Sequence, residues 1–330
     1  MANQSTGTDF LLMGFSEDRD LQILSFVIFL AIYLLALVGN FLLVAAVIIN
    51  HQLHTPMYFF LVNLSFSDVC FISTTIPKAM ATSLTNNKVI SFVGCAAQVF
   101  SVFTFAGSEL TLLTIMAYDR YVAICHPLQY TLTMNWDACL QMAAASWISN
   151  LVYALLHTTL TFRLNFCKLH IIEQFFCDVP QLQKISCSDT RINQILVLVV
   201  GFIVDTFCSG LIFVSYGYIF SAALRIPSVQ GRYKAFSTCT PHLMVFSLFL
   251  SFATFAYMRP QSLSSHTLDL LSALLYTVLP PLLNPLIYSF RNKDIQDTVW
   301  RMLRKIKVEV IFCFKWFWEV ELGLNVSNWK

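Results

Sequence analysis

The sequence predicts an all-α membrane protein, a seven-transmembrane helix bundle followed by an amphipathic cytoplasmic eighth helix. Two observations carry this prediction. Of the 330 residues, 57% are hydrophobic and only 12% are charged, whereas soluble domains carry roughly 25% charged residues. The apolar residues also gather into seven long runs, and a helix needs about 20 such residues to cross the hydrocarbon core.

The seven runs are continuously apolar, which indicates helices and not the alternating strands of a membrane barrel. In chain order they cover Ile23–Ile49, Pro56–Ala81, Phe92–Ile124, Ala138–Leu160, Ile192–Leu224, Phe236–Tyr257 and Thr267–Ser289. They divide the chain into an extracellular N-terminal tail (1–22), a seven-span domain (23–290), an amphipathic cytoplasmic helix (291–307) and an atypical aromatic-rich extension (308–330).

The loop charges predict the orientation. With the N-terminus outside, twelve of the 20 Lys and Arg residues lie on the cytoplasmic side, as the positive-inside rule requires. An acidic N-terminal segment without a basic leader predicts no cleaved signal peptide. The sequon at Asn3 is then expected to carry sugar, unlike those at Asn63 and Asn325. The net charge of +2 excludes nucleic acid as an expected partner.

The tail predicts a helix that lies on the membrane. Basic residues such as Arg301 and Arg304 alternate with apolar ones such as Trp300 and Leu303, a pattern that suits anionic headgroups. The aromatic stretch after it is too short to span and is expected at the interface. Two alternatives stay open for that stretch, a segment without a role and an eighth span that would expose Asn325 outside.

Three acids lie inside the predicted spans without a basic partner at the same depth. Asp68 and Glu109 are candidates for a small internal cation or water site, because ionisable groups in a bilayer are costly and are usually functional. A proton or ion path of a transporter is the alternative. Asp205 in span five is interpreted as protonated or hydrogen-bonded to its neighbours.

A second set of polar residues lies at the cytoplasmic ends of spans three and seven. Arg120 follows Asp119 and precedes Tyr121, and it either snorkels to the interface or pairs with Asp119 in a two-state switch. In span seven, Pro285 removes a backbone hydrogen bond and kinks the helix, and Asn284 can satisfy the freed carbonyl.

Five runs in register resemble the odorant-receptor family of rhodopsin-like G protein-coupled receptors, in its tetrapod-type branch. They are LHTPMYFFL at Leu53–Leu61, continuing to Asp68; MAYDRYVAIC at Met116–Cys125, followed by His126-Pro127-Leu128; SY at Ser215–Tyr216; KAFSTC at Lys234–Cys239, with Pro241-His242; and PLLNPLIYSFRN at Pro281–Asn292. The resemblance covers roughly residues 10–307. One departure is Phe249-Leu250-Ser251 in span six, where the family usually has Phe-Tyr-Gly.

The resemblance implies a chemosensory receptor that activates a stimulatory, olfactory-type G protein and raises cyclic AMP. Arg120 would contact the G protein, and Tyr216 and Tyr288 would swing inward to support it. Asp68 and Glu109 would line a sodium-sized site, with Asn40 hydrogen-bonding toward Asp68. The residues implied in coupling and switching are Asp119, Arg120, Tyr121, Tyr216, Asn284, Pro285 and Tyr288.

The resemblance also implies two disulfides, Cys95 with Cys177 and Cys167 with Cys187.

Helical spacing places a ligand pocket between the inward faces of the spans, and its apolar lining suits a small hydrophobic molecule. The predicted lining is Val102, Phe103, Ala106 and Leu110 in span three, Val200, Gly201 and Val204 in span five, Ala253, Thr254 and Tyr257 in span six, and Leu274 and Thr277 in span seven. Thr254 and Tyr257 are the expected polar anchors.

Other functions are weighed against this interpretation. A rhodopsin-like receptor for a non-odorant small molecule in another tissue stays open, although span seven lacks the Lys of a retinal pigment and Val102 replaces the Asp of amine receptors. A transporter would need broken helices at mid-membrane. No enzyme, cofactor or metal beyond sodium near Asp68 is expected, because the cysteine and histidine spacing fits no zinc pattern. The expected location is the plasma membrane, in sensory cilia if the receptor is olfactory.

Overall fold

A computed structural model describes residues 9–13, 18–166, 170–188, 191–257 and 266–304. Seven long helices form the bundle, and the shorter elements lie at its two ends. The long helices are α1 (Arg19–Ile49), α2 (Pro56–Thr85), α3 (Phe92–Cys125), α5 (Trp136–Phe162), α7 (Arg191–Leu224), α8 (Val229–Tyr257) and α9 (His266–Arg291). The short helices are a 3-10 turn (His51–Leu53), α4 (Tyr130–Thr133), α6 (Val179–Ile185) and α10, which covers residues 293–304.

Six of the described helices are long and apolar enough to cross a membrane, namely α1, α2, α3, α5, α7 and α9. The seventh, α8, has 29 residues but is more polar, since it begins with Arg232 and Lys234 and continues through several Ser and Thr residues. It starts seven residues before the predicted span, because charged side chains at a membrane surface are solvated and do not end a helix. The predicted seven-helix bundle is confirmed.

Local sequence sets several helix boundaries. The side chains of Asp18, Ser91 and Asn135 accept hydrogen bonds from the first-turn amides of α1, α3 and α5, which satisfies donors that a helix start leaves open. Pro56 opens α2, where its missing N–H costs nothing. The same helix ends before Asn86, because the left-handed conformation of this residue (φ 55°) terminates the helix.

The helices pack around α3, which contacts α2, α5, α7 and α8. The ring closes where α1 meets α9. A Cβ at Gly39 of α1 would lie 3.1 Å from the Pro285 ring, so this glycine sets how closely the two helices approach. The Asn40 amide donates to the Pro281 carbonyl at 2.9 Å and so joins the same pair of helices.

A small sheet covers one end of the bundle, which the helical prediction did not include. Strand β1 (Phe10–Leu12) lies between β2 (Val89–Ile90), to which it is antiparallel, and β3 (Ile171–Ile172), to which it is parallel. The stretch predicted as an N-terminal tail therefore supplies the central strand, and α1 begins at Arg19 and not at Ile23. We call this the sheet end and the opposite end, which carries Arg120, the Arg120 end.

Candidate functional site

The middle of the bundle contains a buried acidic pair. Asp68 of α2 and Glu109 of α3 are fully enclosed and interact electrostatically with each other. The side-chain amide of Asn284 in α9 donates to both Asp68 oxygens, at 3.0 and 3.1 Å. Within the described part of the chain, neither carboxylate oxygen of Glu109 has a hydrogen-bond partner. The pair therefore has fewer donors than two charged carboxylates need.

Asn40 does not make the expected hydrogen bond toward Asp68. Its amide donates to the carbonyls of Ala36 and Pro281, at 3.0 and 2.9 Å. The prolines of α9 explain this, because Pro285 has no N–H to offer the Pro281 carbonyl. The Asn40 side-chain oxygen is left buried without a partner among the described residues, as is the hydroxyl of Ser108 beside Glu109.

At the Arg120 end, Asp119 and Arg120 each contact a different residue. Asp119 accepts a hydrogen bond of 2.8 Å from the Tyr130 hydroxyl in α4. Burial and the Asp119 carboxylate both raise the pKa of Tyr130, which keeps the phenol protonated as a donor. The Arg120 guanidinium contacts the Met57 sulfur. Among the described residues, Arg120 and Asp119 do not form the salt bridge that the switch interpretation predicts.

A hydrogen-bond chain joins α7, α8 and α3 next to Arg120. His242 Nε2 lies 2.8 Å from the Leu113 carbonyl, and Nδ1 lies 2.9 Å from the Tyr216 hydroxyl. A carbonyl can only accept, so Nε2 carries the proton and Nδ1 accepts from Tyr216. Arg120 acts electrostatically on both Tyr216 and His242. Sequence reasoning named Tyr216 but assigned no role to His242, although it lies just beyond the KAFSTC run.

The other predicted switch residues surround this chain. Tyr288 of α9 is buried, and its hydroxyl has no partner within the described residues, while Arg120 acts on it electrostatically. Tyr121 hydrogen-bonds His126 at 3.0 Å and packs against Tyr218 of α7. The Arg120 guanidinium thus interacts electrostatically with buried tyrosines of both α7 and α9.

The predicted pocket residues divide into groups. Val102, Ala106 and Leu274 belong to one apolar cluster with Phe176 and Tyr276. Leu110 instead belongs to a second apolar cluster, which includes Cys208, Ile212 and Phe246. Phe103 and Gly201 are half-buried, as is Val200, whereas Val204 and Thr254 are exposed. The side chains of Ala253 and Tyr257 lie outside the described residues.

Thr277 does not offer a free hydroxyl to a ligand. It is fully buried, and its oxygen donates to the Ala273 carbonyl at 2.7 Å, within its own helix. Of the two predicted anchors, Thr254 is exposed, and the side chain of Tyr257 lies outside the described residues.

The sheet end is closed by a covalent link and by aromatic packing. Cys95 at the start of α3 forms a disulfide with Cys177 in the loop after β3, as predicted. Cys187 is also disulfide-bonded, while its predicted partner Cys167 lies outside the described residues. Phe10 and Leu12 of β1 are buried against this loop. Phe176, next to the disulfide, packs on Tyr276 and seals the bundle beneath the sheet.

Beyond α9, α10 packs against the Arg120 end. Asn292 caps it by accepting from the Asp294 amide at 2.9 Å, and its own amide contacts the Tyr58 hydroxyl. Ile295 and Thr298 are buried, whereas Trp300 is exposed. The predicted helix of residues 291–307 is described as far as residue 304. Asn3 and the aromatic extension 308–330 lie outside the described residues.

The chain resembles known proteins over nearly its whole length. A family model described as "Olfactory receptor" matches residues 29–306. The human protein Olfactory receptor 14A16 is 46% identical over 304 residues, which cover 92% of this chain and 98% of that protein. Human Olfactory receptor 14I1 is 48% identical over 306 residues, covering 93% of this chain and 98% of that protein. The chain therefore belongs to the olfactory receptor family, whose members are multi-pass membrane receptors and not enzymes.

Proposed function

We propose that this receptor binds a small, mostly apolar odorant inside the helix bundle, activates a stimulatory, olfactory-type G protein and so raises cyclic AMP. It acts in the plasma membrane with its sheet end and N-terminus extracellular, and in sensory cilia if it is expressed in olfactory neurons. The observation that carries the coupling step is the position of Arg120. Its guanidinium contacts the Met57 sulfur and interacts electrostatically with Asp119, Tyr216 and Tyr288.

The loop beside Arg120 supports a protein partner on this face. Leu128 is 94% exposed and Leu132 is 77% exposed, and both follow α3 on the side that would face the cytoplasm. Exposed large apolar side chains clustered next to a functional residue mark interaction surfaces. Asp119 and Tyr130 hold this loop against α3, so the leucines are presented in a fixed position.

The ligand region is proposed between α3, α7, α8 and α9 beneath the sheet. Its described walls are apolar, with Val102, Ala106 and Leu274 on one side. A ligand bound there would be removed from water, and apolar burial stabilises it by roughly 25 cal/mol per Å². Such walls suit a hydrophobic volatile molecule with few polar groups.

We further propose a sodium ion or a water molecule at the acidic pair. Asp68 and Glu109 contribute carboxylate oxygens that lie close enough to interact with each other. These are oxygen donors, which hard cations prefer. A sodium ion would neutralise one charge of the pair, and Asp68 would hold it in place with Asn284 as the donor on its far side.

At the membrane surface, α10 is proposed to lie along the inner leaflet. Its buried side, with Ile295 and Thr298, packs on the bundle, while Trp300 and Arg304 are exposed. Trp suits the headgroup boundary, and Arg attracts anionic lipids. The same topology places a glycosylated Asn3 outside the cell and residues 308–330 at the cytoplasmic membrane interface. Mass shifts after glycosidase treatment test both proposals.

The decisive experiment measures cyclic AMP in cells that carry the full-length receptor, with surface staining in the same cells. Wild-type receptor should raise cyclic AMP in response to members of a panel of volatile compounds. Deleting the stimulatory Gα subunits of the host cell should remove the response. A response that survives this deletion, or that appears only as calcium release, contradicts the proposed coupling.

A further inference from the structure

Helix α5 contains a buried histidine whose ring nitrogens have no hydrogen-bond partner among the described residues. His157 is 0% exposed. Throughout the described chain, neither Nδ1 nor Nε2 of this ring finds a hydrogen-bond partner. Polar groups buried in native proteins almost always have one, and an unpaired one is destabilising. A residue of this kind calls for a partner from outside the chain.

Two aromatic side chains fix the orientation of the imidazole. The ring stacks on Phe103 of α3, with centroids 5.2 Å apart and planes 12° from parallel. On its other side the edge of Tyr153 approaches to a centroid distance of 4.2 Å. Phe103 is half-buried and belongs to the face of α3 that sequence analysis assigned to the ligand. His157 therefore borders the region proposed to bind the odorant.

Helix α7 leaves room beside these rings. A Cβ placed on Gly201 would meet only the Tyr153 hydroxyl, at 3.6 Å, which is ordinary van der Waals contact. The glycine thus keeps an open space between α7 and α5. We call Phe103, Tyr153, His157 and Gly201 the α5 subsite.

We infer that the α5 subsite holds the polar end of the ligand, a neutral oxygen group such as an alcohol or an aldehyde, with His157 as its hydrogen-bonding anchor. This rests on the proposed function, in which the ligand binds within the bundle. A neutral imidazole has one donor and one acceptor. A carbonyl oxygen takes the ring N–H, and a hydroxyl can pair with either nitrogen. The anchor thus lies on α5, whereas sequence analysis placed it on span six.

The surrounding groups define which ligand chemistry fits. The α5 subsite contains no Lys or Arg, so a carboxylate ligand would give up its hydration there without a counter-ion. An alkane would leave both His157 nitrogens unpaired and gain only apolar contact. Alcohols and aldehydes satisfy the ring without adding charge.

The test measures binding directly, so that it does not depend on signalling. Purified full-length receptor in lipid nanodiscs is heated with a straight-chain alkane, alcohol, aldehyde or carboxylate of matched length. A ligand that binds the folded state raises the unfolding temperature. The alcohol and the aldehyde should stabilise wild-type receptor, and the alkane and the carboxylate should do so less. Stabilisation by none of the oxygenated compounds, or strongest stabilisation by the carboxylate, overturns the inference.

Three variants isolate the histidine. His157→Phe keeps the stacked ring but removes both nitrogens, and it should weaken binding of the alcohol by about tenfold while leaving the alkane unaffected. His157→Gln keeps a donor and an acceptor and should retain more of the alcohol affinity. Thr104→Val is the matched control, because its hydroxyl bonds only the Phe100 carbonyl of its own helix at 2.9 Å.

Ligand-free stability separates an anchor from a structural residue. Because His157 is unpaired in the described structure, His157→Phe should keep or raise the unfolding temperature without ligand. A drop in that temperature, or an equal loss of affinity for every compound, would show a structural role and overturn the inference. Cyclic AMP is recorded in parallel, so a failure of G-protein coupling leaves the binding result readable.

Discussion

At its sheet end the bundle has a covalent bond and a three-stranded sheet in addition to apolar packing, whereas at its Arg120 end apolar packing is joined only by side-chain hydrogen bonds among the described residues. The Cys95–Cys177 disulfide joins α3 to the loop above it, and such a bond contributes typically about 2–4 kcal/mol. The Tyr216–His242–Leu113 chain joins three helices with two hydrogen bonds, each worth about 0.5–1.5 kcal/mol net. We therefore expect the Arg120 end to rearrange at a lower free-energy cost than the sheet end.

The largest expected effect falls on Arg120. Arg120→Ala should abolish cyclic AMP signalling while leaving ligand binding and surface delivery intact, because it removes the only described guanidinium among Tyr216 and Tyr288. Arg120→Lys is the matched control. Simple snorkelling would tolerate Lys equally well, whereas a planar contact would not. Normal signalling by Arg120→Ala at normal surface levels would count against the switch.

The next effect tests the covalent link at the sheet end. Cys95→Ser should destabilise the receptor by about 2–5 kcal/mol and reduce its amount at the cell surface. Cys70 is a free, half-buried thiol, so Cys70→Ser serves as the control and should change surface level little. Peptide mapping under non-reducing conditions checks the bond itself. Alkylation of Cys95 in the folded wild-type receptor would refute the pairing.

A smaller effect is expected from the hydrogen-bond chain at the other end. His242→Phe removes both of its bonds and should weaken the observed arrangement by about 1–3 kcal/mol, so that basal cyclic AMP rises several-fold. Thr240→Val is the control, because the Thr240 hydroxyl bonds only the Phe236 carbonyl of its own helix at 2.9 Å. Basal activity that is unchanged or lower in His242→Phe would show that this chain does not restrain α8.

The smallest effect concerns β1. Phe10→Ala empties a buried position and should lower stability by about 1–3 kcal/mol, less than a deep core site, because a strand of three residues opens locally. Leu11 on the same strand is 42% exposed, and Leu11→Ala should stay within about 0.5 kcal/mol. Hydrogen exchange of β1 and β3 amides measures the opening. Equal exchange in the two variants would argue against a packed strand.

The bundle was predictable because membrane spans are long and uniformly apolar, and this signal is local in sequence. The sheet was not, since β1 has three residues and its partners β2 and β3 lie far along the chain. Strands this short carry no readable alternation. The start of α8 was placed late for a related reason, because the charges of Arg232 and Lys234 were taken as its boundary.

The sequence indicates which residues belong to the candidate site better than it indicates which residues they contact. Asp68 was expected to need a partner, and Asn284 supplies it. Asp119 was expected to hold Arg120, but Tyr130 takes the carboxylate from a loop helix of four residues. The conformation of such a loop depends on tertiary packing that periodicity does not encode. His157 was missed because an isolated histidine in an apolar run gives no signal until its neighbours are known.

The contact between α1 and α9 has a consequence for biogenesis. The first of the seven spans to leave the ribosome presents Gly39 and Asn40, and their partners Pro285 and Pro281 belong to the last span. Until that segment is translated, the Asn40 amide faces lipid without this acceptor, and the groove beside Gly39 stays empty. In the nascent receptor, one hydrogen bond of the Asn40 amide thus stays unformed inside the bilayer until α9 docks. The Ala36 bond lies within α1 and can form earlier, so docking of the final span completes the second hydrogen bond of this amide.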